Sequence, residues 1–126
     1  MATALNLKTL FILALIALLA YLAIIPGLAD IPLSDHAQNE HKNQKWNAAN
    51  ILTTMNNGGC GQVDVYVCSN DTLIYTCQSP TDPTKLLGLV VGQTVKQVIT
   101  GYSSRASHWN KKTAGCDYLG PGSFAQ

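Results

Sequence analysis

Two runs of β-branched and aromatic residues, QVDVYVC at 62–68 and TLIYTC at 72–77, stand either side of Ser69-Asn70-Asp71. That composition around three turn-forming residues predicts a β-hairpin. The side-chain period of two then sets its register. A three-residue loop brings Val63, Val65 and Val67 opposite Cys77, Tyr75 and Leu73 and gives one apolar face. A slip of one residue puts the valines against Thr76 and Ile74 and destroys it. In the apolar register Cys68 points away from Cys77, so these two do not bridge each other.

The chain has four cysteines, Cys60, Cys68, Cys77 and Cys116. An even number in a small exported domain implies two disulfides, and four cysteines allow three connectivities. Setting Cys68–Cys77 aside leaves two connectivities, of which Cys60 with Cys77 and Cys68 with Cys116 is the one expected. Each bond is worth roughly 2–4 kcal/mol, a large share of what so small a core supplies. Zinc is the competing use of four cysteines, but the spacing lacks a C-x-x-C pair.

Export is expected from the amino terminus. Lys8 precedes an uncharged run from Thr9 to Ala29, TLFILALIALLAYLAIIPGLA. About 20 such residues span a hydrocarbon core. Pro26-Gly27 breaks the run, and Gly27-Leu28-Ala29 has the small-x-small pattern of a signal-peptidase site. Residues 1–29 therefore fit both a signal peptide cleaved before Asp30 and a kept membrane anchor. As a core helix the run would be an apolar rod in a chain too small to wrap it. Lys8 stands before the run and Asp30, Asp35 and Glu40 soon after it; the positive-inside rule counts the lysine, so the amino terminus stays cytosolic and the rest crosses. Removing Lys8 leaves seven Lys/Arg against seven Asp/Glu. That balance excludes a protein built to coat nucleic acid or an anionic membrane. The cations are uneven, because Lys96, Arg105, Lys111 and Lys112 share one stretch with no acid between them.

Within the domain expected at 30–119, Ser34 and Asp35 are helix N-caps, and Asp35 with Gln38 resembles a capping box. A single helix to Met55 is predicted, stopped by Asn56-Asn57-Gly58-Gly59; the alternative is a polar linker over 30–44 followed by a short helix. Ala48, Ile51, Leu52 and Met55 form its apolar stripe, flanked by Trp46 and Ala49. SPTDPT at 79–84 is a loop, KLLGLVV at 85–91 a buried strand, Gly92-Gln93 a tight turn, and TVKQVITGYS a fourth strand. The tail from Ser103 has no period, and residues 120–126 are expected to be loose. The predicted fold class is α+β: one helix followed by a four-stranded antiparallel meander, with two disulfides.

Chemistry-bearing residues concentrate in two places. His36 and His41 lie in SDHAQNEH; five residues apart, they stand about 140° apart on an unbroken helix and do not chelate a metal together. His36 with Glu40 has helical pair spacing. A single imidazole there is usable as acid or base near neutral pH. Late in the chain, Thr100 and Tyr102 share one face of the last strand, with Ile99 on the other. Gly101 between them permits close approach of another backbone or a ligand. Arg105 leaves the strand, and His108-Trp109 suits an aromatic anchor or a stacking platform. Metal-free RNA cleavage needs a base for the 2′-hydroxyl, an acid for the 5′-oxygen and a cation for the phosphorane. His36, His41, Thr100, Tyr102 and Arg105 are the residue types that fill those roles.

HAQNEH at a helix start, followed by a small sheet whose last strand carries VITGY, resembles exported bacterial toxin nuclease domains. These belong to the barnase, EndoU, colicin and RelE-type ribonucleases, and the resemblance covers roughly residues 35–105. It implies a catalytic set of His36, His41, Thr100 and Tyr102, with Arg105 as phosphate clamp, acting on RNA without a cofactor. The other expectation from the residues is a non-enzymatic envelope, surface or virion protein that binds a protein partner through its sheet. In either case residues 9–29 meet the membrane if uncleaved.

Overall fold

The structure is a computed structural model that describes residues 31–122 and, outside them, Ile12 alone. The leader expected over residues 1–29 otherwise lies outside the described residues, as do residues 123–126. No helix among the described residues is long and apolar enough to cross a membrane.

The elements in chain order are α1 (Asp35–Asn39), α2 (Ala48–Asn56), β1 (Val63–Cys68), β2 (Thr72–Gln78), β3 (Lys85–Gly92), β4 (Val98–Arg105), α3 (Ala106–Thr113) and β5 (Asp117–Gly122). The strands form one antiparallel sheet in the order β4-β3-β2-β1-β5. The fold is α+β. The β1–β2 register sets Val63, Val65 and Val67 against Cys77, Tyr75 and Leu73, as the apolar face demands. Both disulfides form as expected, Cys60–Cys77 and Cys68–Cys116.

The two faces of the sheet carry different helices. On one, Ala48, Ile51, Leu52 and Met55 of α2 pack on Val63, Val65, Leu87, Leu89, Val91 and Val98 to make the core. Gly101 of β4 faces this side, where a Cβ would lie 2.9 Å from the Ala48 Cα, so its bareness admits the start of α2. On the other face lies α3. Its Trp109 is 1 % exposed and rests on Gly88 of β3, where a Cβ would overlap the indole ring. Each disulfide ties one helix to the sheet: Cys60 follows α2, and Cys116 follows α3.

Four expectations are corrected. The helix predicted from Ser34 to Met55 is two helices. Residues 40–45 are polar throughout and bring no apolar stripe to the sheet, so tertiary packing does not sustain a helix there. Asn47 starts α2 afresh, its side chain accepting from the Asn50 N–H at 2.9 Å, while Ser34 caps α1 through the Ala37 N–H at 3.1 Å. The β3–β4 connection is longer than a tight turn. Asp71 accepts from the Thr94 hydroxyl at 2.8 Å, and Gly92 N–H reaches Gln97 C=O before β4 begins at Val98.

The third and fourth corrections concern the carboxyl-terminal region. Residues 106–113, expected to lack a period, form α3. Gly120-Pro121-Gly122, expected loose, pair with Val65, Asp64 and Val63, so the meander gains a fifth strand. The outer edge of β1 offers unpaired backbone groups, and the Cys68–Cys116 bond starts β5 beside it. A register shift between Val65 and Tyr66 is absorbed where Gly120 adopts φ +101°, a conformation suited to glycine.

Candidate active site

The edge strand β4 organises the site. Its amino-terminal end is covered by residues 32–34, with Val98 N–H donating to Pro32 C=O at 2.8 Å and Ser34 N–H donating to Val98 C=O at 2.9 Å. Farther along, Asn47 bridges Tyr102. The segment between these attachments, α1 and the turn after it, is thereby held against β4 beside Thr100 and Tyr102.

The end of α1 is where that segment meets the strand. Glu40 leaves the helix in an extended conformation. Its Oε2 accepts from the Thr100 hydroxyl at 2.6 Å and also meets His36 Nε2, while its Oε1 lies 3.2 Å from His41 Nε2. The break in the helix thus brings both imidazoles to one carboxylate, which the predicted unbroken helix would not do. The Thr100 hydrogen bond, with the charges of His36 and His41, holds the Glu40 carboxyl below the usual glutamate range, against an opposing desolvation effect. His41 sits at φ +57°, in the left-handed region. Non-glycine residues seldom adopt it, and such strain gathers at functional sites.

The second half of the site comes from α3. His108 Nε2 lies 2.7 Å from the Tyr102 hydroxyl, and Trp109 stacks on the Tyr102 ring with centroids 4.6 Å apart. Lys112, one turn past His108, places its ammonium 5.7 Å from the Tyr102 ring centroid. The His41 ring stands 6.2 Å from the same phenol. Tyr102 is therefore flanked by an imidazole from the α1 side and another from α3.

Of the residues singled out in the sequence, His36, His41, Thr100 and Tyr102 come together. Arg105 does not join them. It begins α3 as its N-cap residue, five positions and about 16 Å of extended chain beyond Thr100. It lines a neighbouring groove shared with His108. Lys96 lies in the β3–β4 loop and lines a different groove. Three participants were not assigned site roles from sequence: Glu40, His108 and Lys112. Glu40 was visible only as a helical partner of His36. His108, Lys111 and Lys112 have the spacing of one helical face, a signal that required recognising α3 first. All three histidines of the chain belong to this one cluster.

The arrangement offers two proton-handling groups on either side of Tyr102, a hydroxyl and a nearby cation. Among the described residues no group of three His, Cys, Asp or Glu side chains has metal-holding geometry. In comparisons with family models, curated proteins and solved structures, the chain matches none.

Proposed function

We propose that this domain is a metal-independent ribonuclease that works by paired acid and base catalysis across Tyr102. The observation that carries the reading is the convergence of His41 and His108 on one tyrosine, with Thr100, Glu40 and Lys112 around it. His41, oriented through Nε2 by Glu40, takes the proton of a ribose 2′-hydroxyl on Nδ1. The 2′-oxygen then forms a bond to phosphorus while the bond from phosphorus to the 5′-oxygen breaks. Tyr102 passes its proton to that 5′-oxygen, and His108 replaces it through their hydrogen bond. Lys112 stabilises the charge on the phosphorane. Glu40 and Thr100 act as positioning residues.

Two disulfides suit a chain that folds in an oxidising, extracytosolic compartment. Delivery is assigned to the apolar run at 9–29, as a cleaved signal or as an anchor with a cytosolic amino terminus.

The test is incubation of the full chain, both disulfides formed, with RNA and a chelator. The expected product carries a 2′,3′-cyclic phosphate and disappears in His41→Ala. Intact RNA at high protein concentration favours the second reading, a non-enzymatic surface or envelope protein that binds a partner through its sheet. That reading has its own observation: an apolar groove of about 360 Å³ lined by Val65, Val67, Leu73, Tyr75 and Val91, with Leu119 at its border 62 % exposed.

A further inference from the structure

Where β4 runs into α3, a groove of about 480 Å³ opens beside His108. Its walls carry Lys85, Arg105 and Lys111 with three serines, and no carboxylate lines it. Among the described residues Arg105 and Lys111 make no ion pair, and Asp82 reaches Lys85 only at 4.0 Å. Three cations and several hydroxyl donors around one concavity suit an anion with several oxygens. Arg105 adds a planar fork that matches phosphate geometry. The groove shares a wall, His108, with the cluster around Tyr102.

We infer that this groove is a subsite for a second backbone phosphate, so that the substrate is a single RNA strand lying across both it and the side-chain cluster around Tyr102. The identity of the polyanion rests on the ribonuclease reading; the anion site rests on the groove itself. A strand laid from His41 past Tyr102 and His108 continues onto Arg105, Lys85 and Lys111 without meeting another carboxylate on the groove wall. Single-stranded RNA is favoured over duplex because the 2′-oxygen must swing in line with the departing 5′-oxygen, which helical pairing prevents. The assignment gives Arg105 a role different from the one its sequence position implied: it grips a neighbouring phosphate, away from the reacting one.

The experiment measures binding of the oxidised full chain to a fluorescent 2′-O-methyl hexanucleotide, which lacks the attacking hydroxyl, between about 50 and 200 mM salt. The slope of log affinity against log salt should shrink by roughly 0.7 for each phosphate contact removed in Arg105→Gln and in Lys111→Gln. Lys96→Gln, on the β3–β4 loop, should leave the slope alone. A hexanucleotide should also bind at least tenfold more tightly than a dinucleotide. Unchanged slopes in both groove variants, or equal binding of the two lengths, overturns the subsite. Displacement of the hexanucleotide by equimolar inorganic pyrophosphate, or equal capture of the protein by anionic phospholipid vesicles, overturns the RNA strand as its occupant. Absence of cleavage of unmodified RNA in chelator, together with the expected slopes here, sinks the ribonuclease reading and supports the anion site. Cleavage with unchanged slopes overturns the subsite alone.

Discussion

The two faces of the sheet are built from the same strands yet do opposite work. On the α2 side, Leu87, Leu89, Val91 and Val98 meet Ile51 and Met55, all buried to within 2 %. On the α3 side, Trp109 and Thr113 are the buried residues of the helix, and Thr100, Tyr102, His108 and Lys112 stand around them half-buried or exposed. The α3 face also buries Ile74 and Trp109, but the α2 face supplies the larger share of apolar burial, at about 25 cal/mol per Å². The disulfides follow the same division. Cys60–Cys77 reinforces a face already held by a broad apolar core, whereas Cys68–Cys116 adds to the Trp109 and Thr113 packing that holds α3.

This contrast breaks first in the core. Leu89→Ala should cost about 2–5 kcal/mol in chemical denaturation, because it leaves a cavity under α2 that nothing nearby can fill. Removing the other face's bond, in Cys68→Ser with Cys116→Ser, should cost about 2–4 kcal/mol. It should also weaken cleavage beyond its effect on the folded fraction, since His108 and Lys112 ride on the released helix. Equal loss of activity from the Cys60–Cys77 pair, at matched stability, would erase the distinction between the faces.

A smaller change sharpens it. Gly88→Ala should destabilise by about 1–3 kcal/mol, because the added methyl runs into Trp109. It should displace the Tyr102–His108 pair although it alters no residue of the site. Near-ultraviolet dichroism would report the shifted indole, and an unchanged spectrum would contradict the packing described.

The mildest effect concerns Glu40. Its carboxyl is held below the usual glutamate range, so the stabilisation from that shift is fully present above the ordinary glutamate value and fades as pH falls through the lower folded value. Thr100→Val removes the largest cause of the shift. It should cost on the order of 1 kcal/mol or less at neutral pH, as expected for a partly exposed charge-assisted bond. The difference from the parent should vanish in acid. A difference independent of pH would place the Thr100 contribution elsewhere.

The hairpin could be read from sequence because it depends on parity alone: the valines choose the register. That register also turns Cys68 away from Cys77 and removes one of the three connectivities, but parity does not choose between the two that remain. The stripe Ala48, Ile51, Leu52 and Met55 was readable for the same kind of reason. The break after Asn39 was half readable: the polar stretch that follows allowed a linker over 30–44, but the contact of Glu40 with Thr100, sixty residues away, was not legible. Nor was β5, since Gly120-Pro121-Gly122 has no strand propensity and pairs because Cys116 and the edge of β1 bring it there. The site was half visible. His36, His41, Thr100 and Tyr102 carry their chemistry in residue type and spacing. His108 joins them only through α3 packing on Gly88, a contact no local pattern encodes.

The central claim is that two imidazoles, one from each side of Tyr102, divide the proton transfers. Its most direct measurement is the pH–rate profile of RNA cleavage in chelator by the parent, His41→Ala and His108→Ala, alongside their thermal unfolding. The account expects a bell-shaped profile in the parent and a loss of about 10²–10⁴-fold in each variant, each variant keeping one limb of the bell and a near-parental unfolding midpoint. Cleavage that survives either substitution, or falls only as far as unfolding explains, contradicts it.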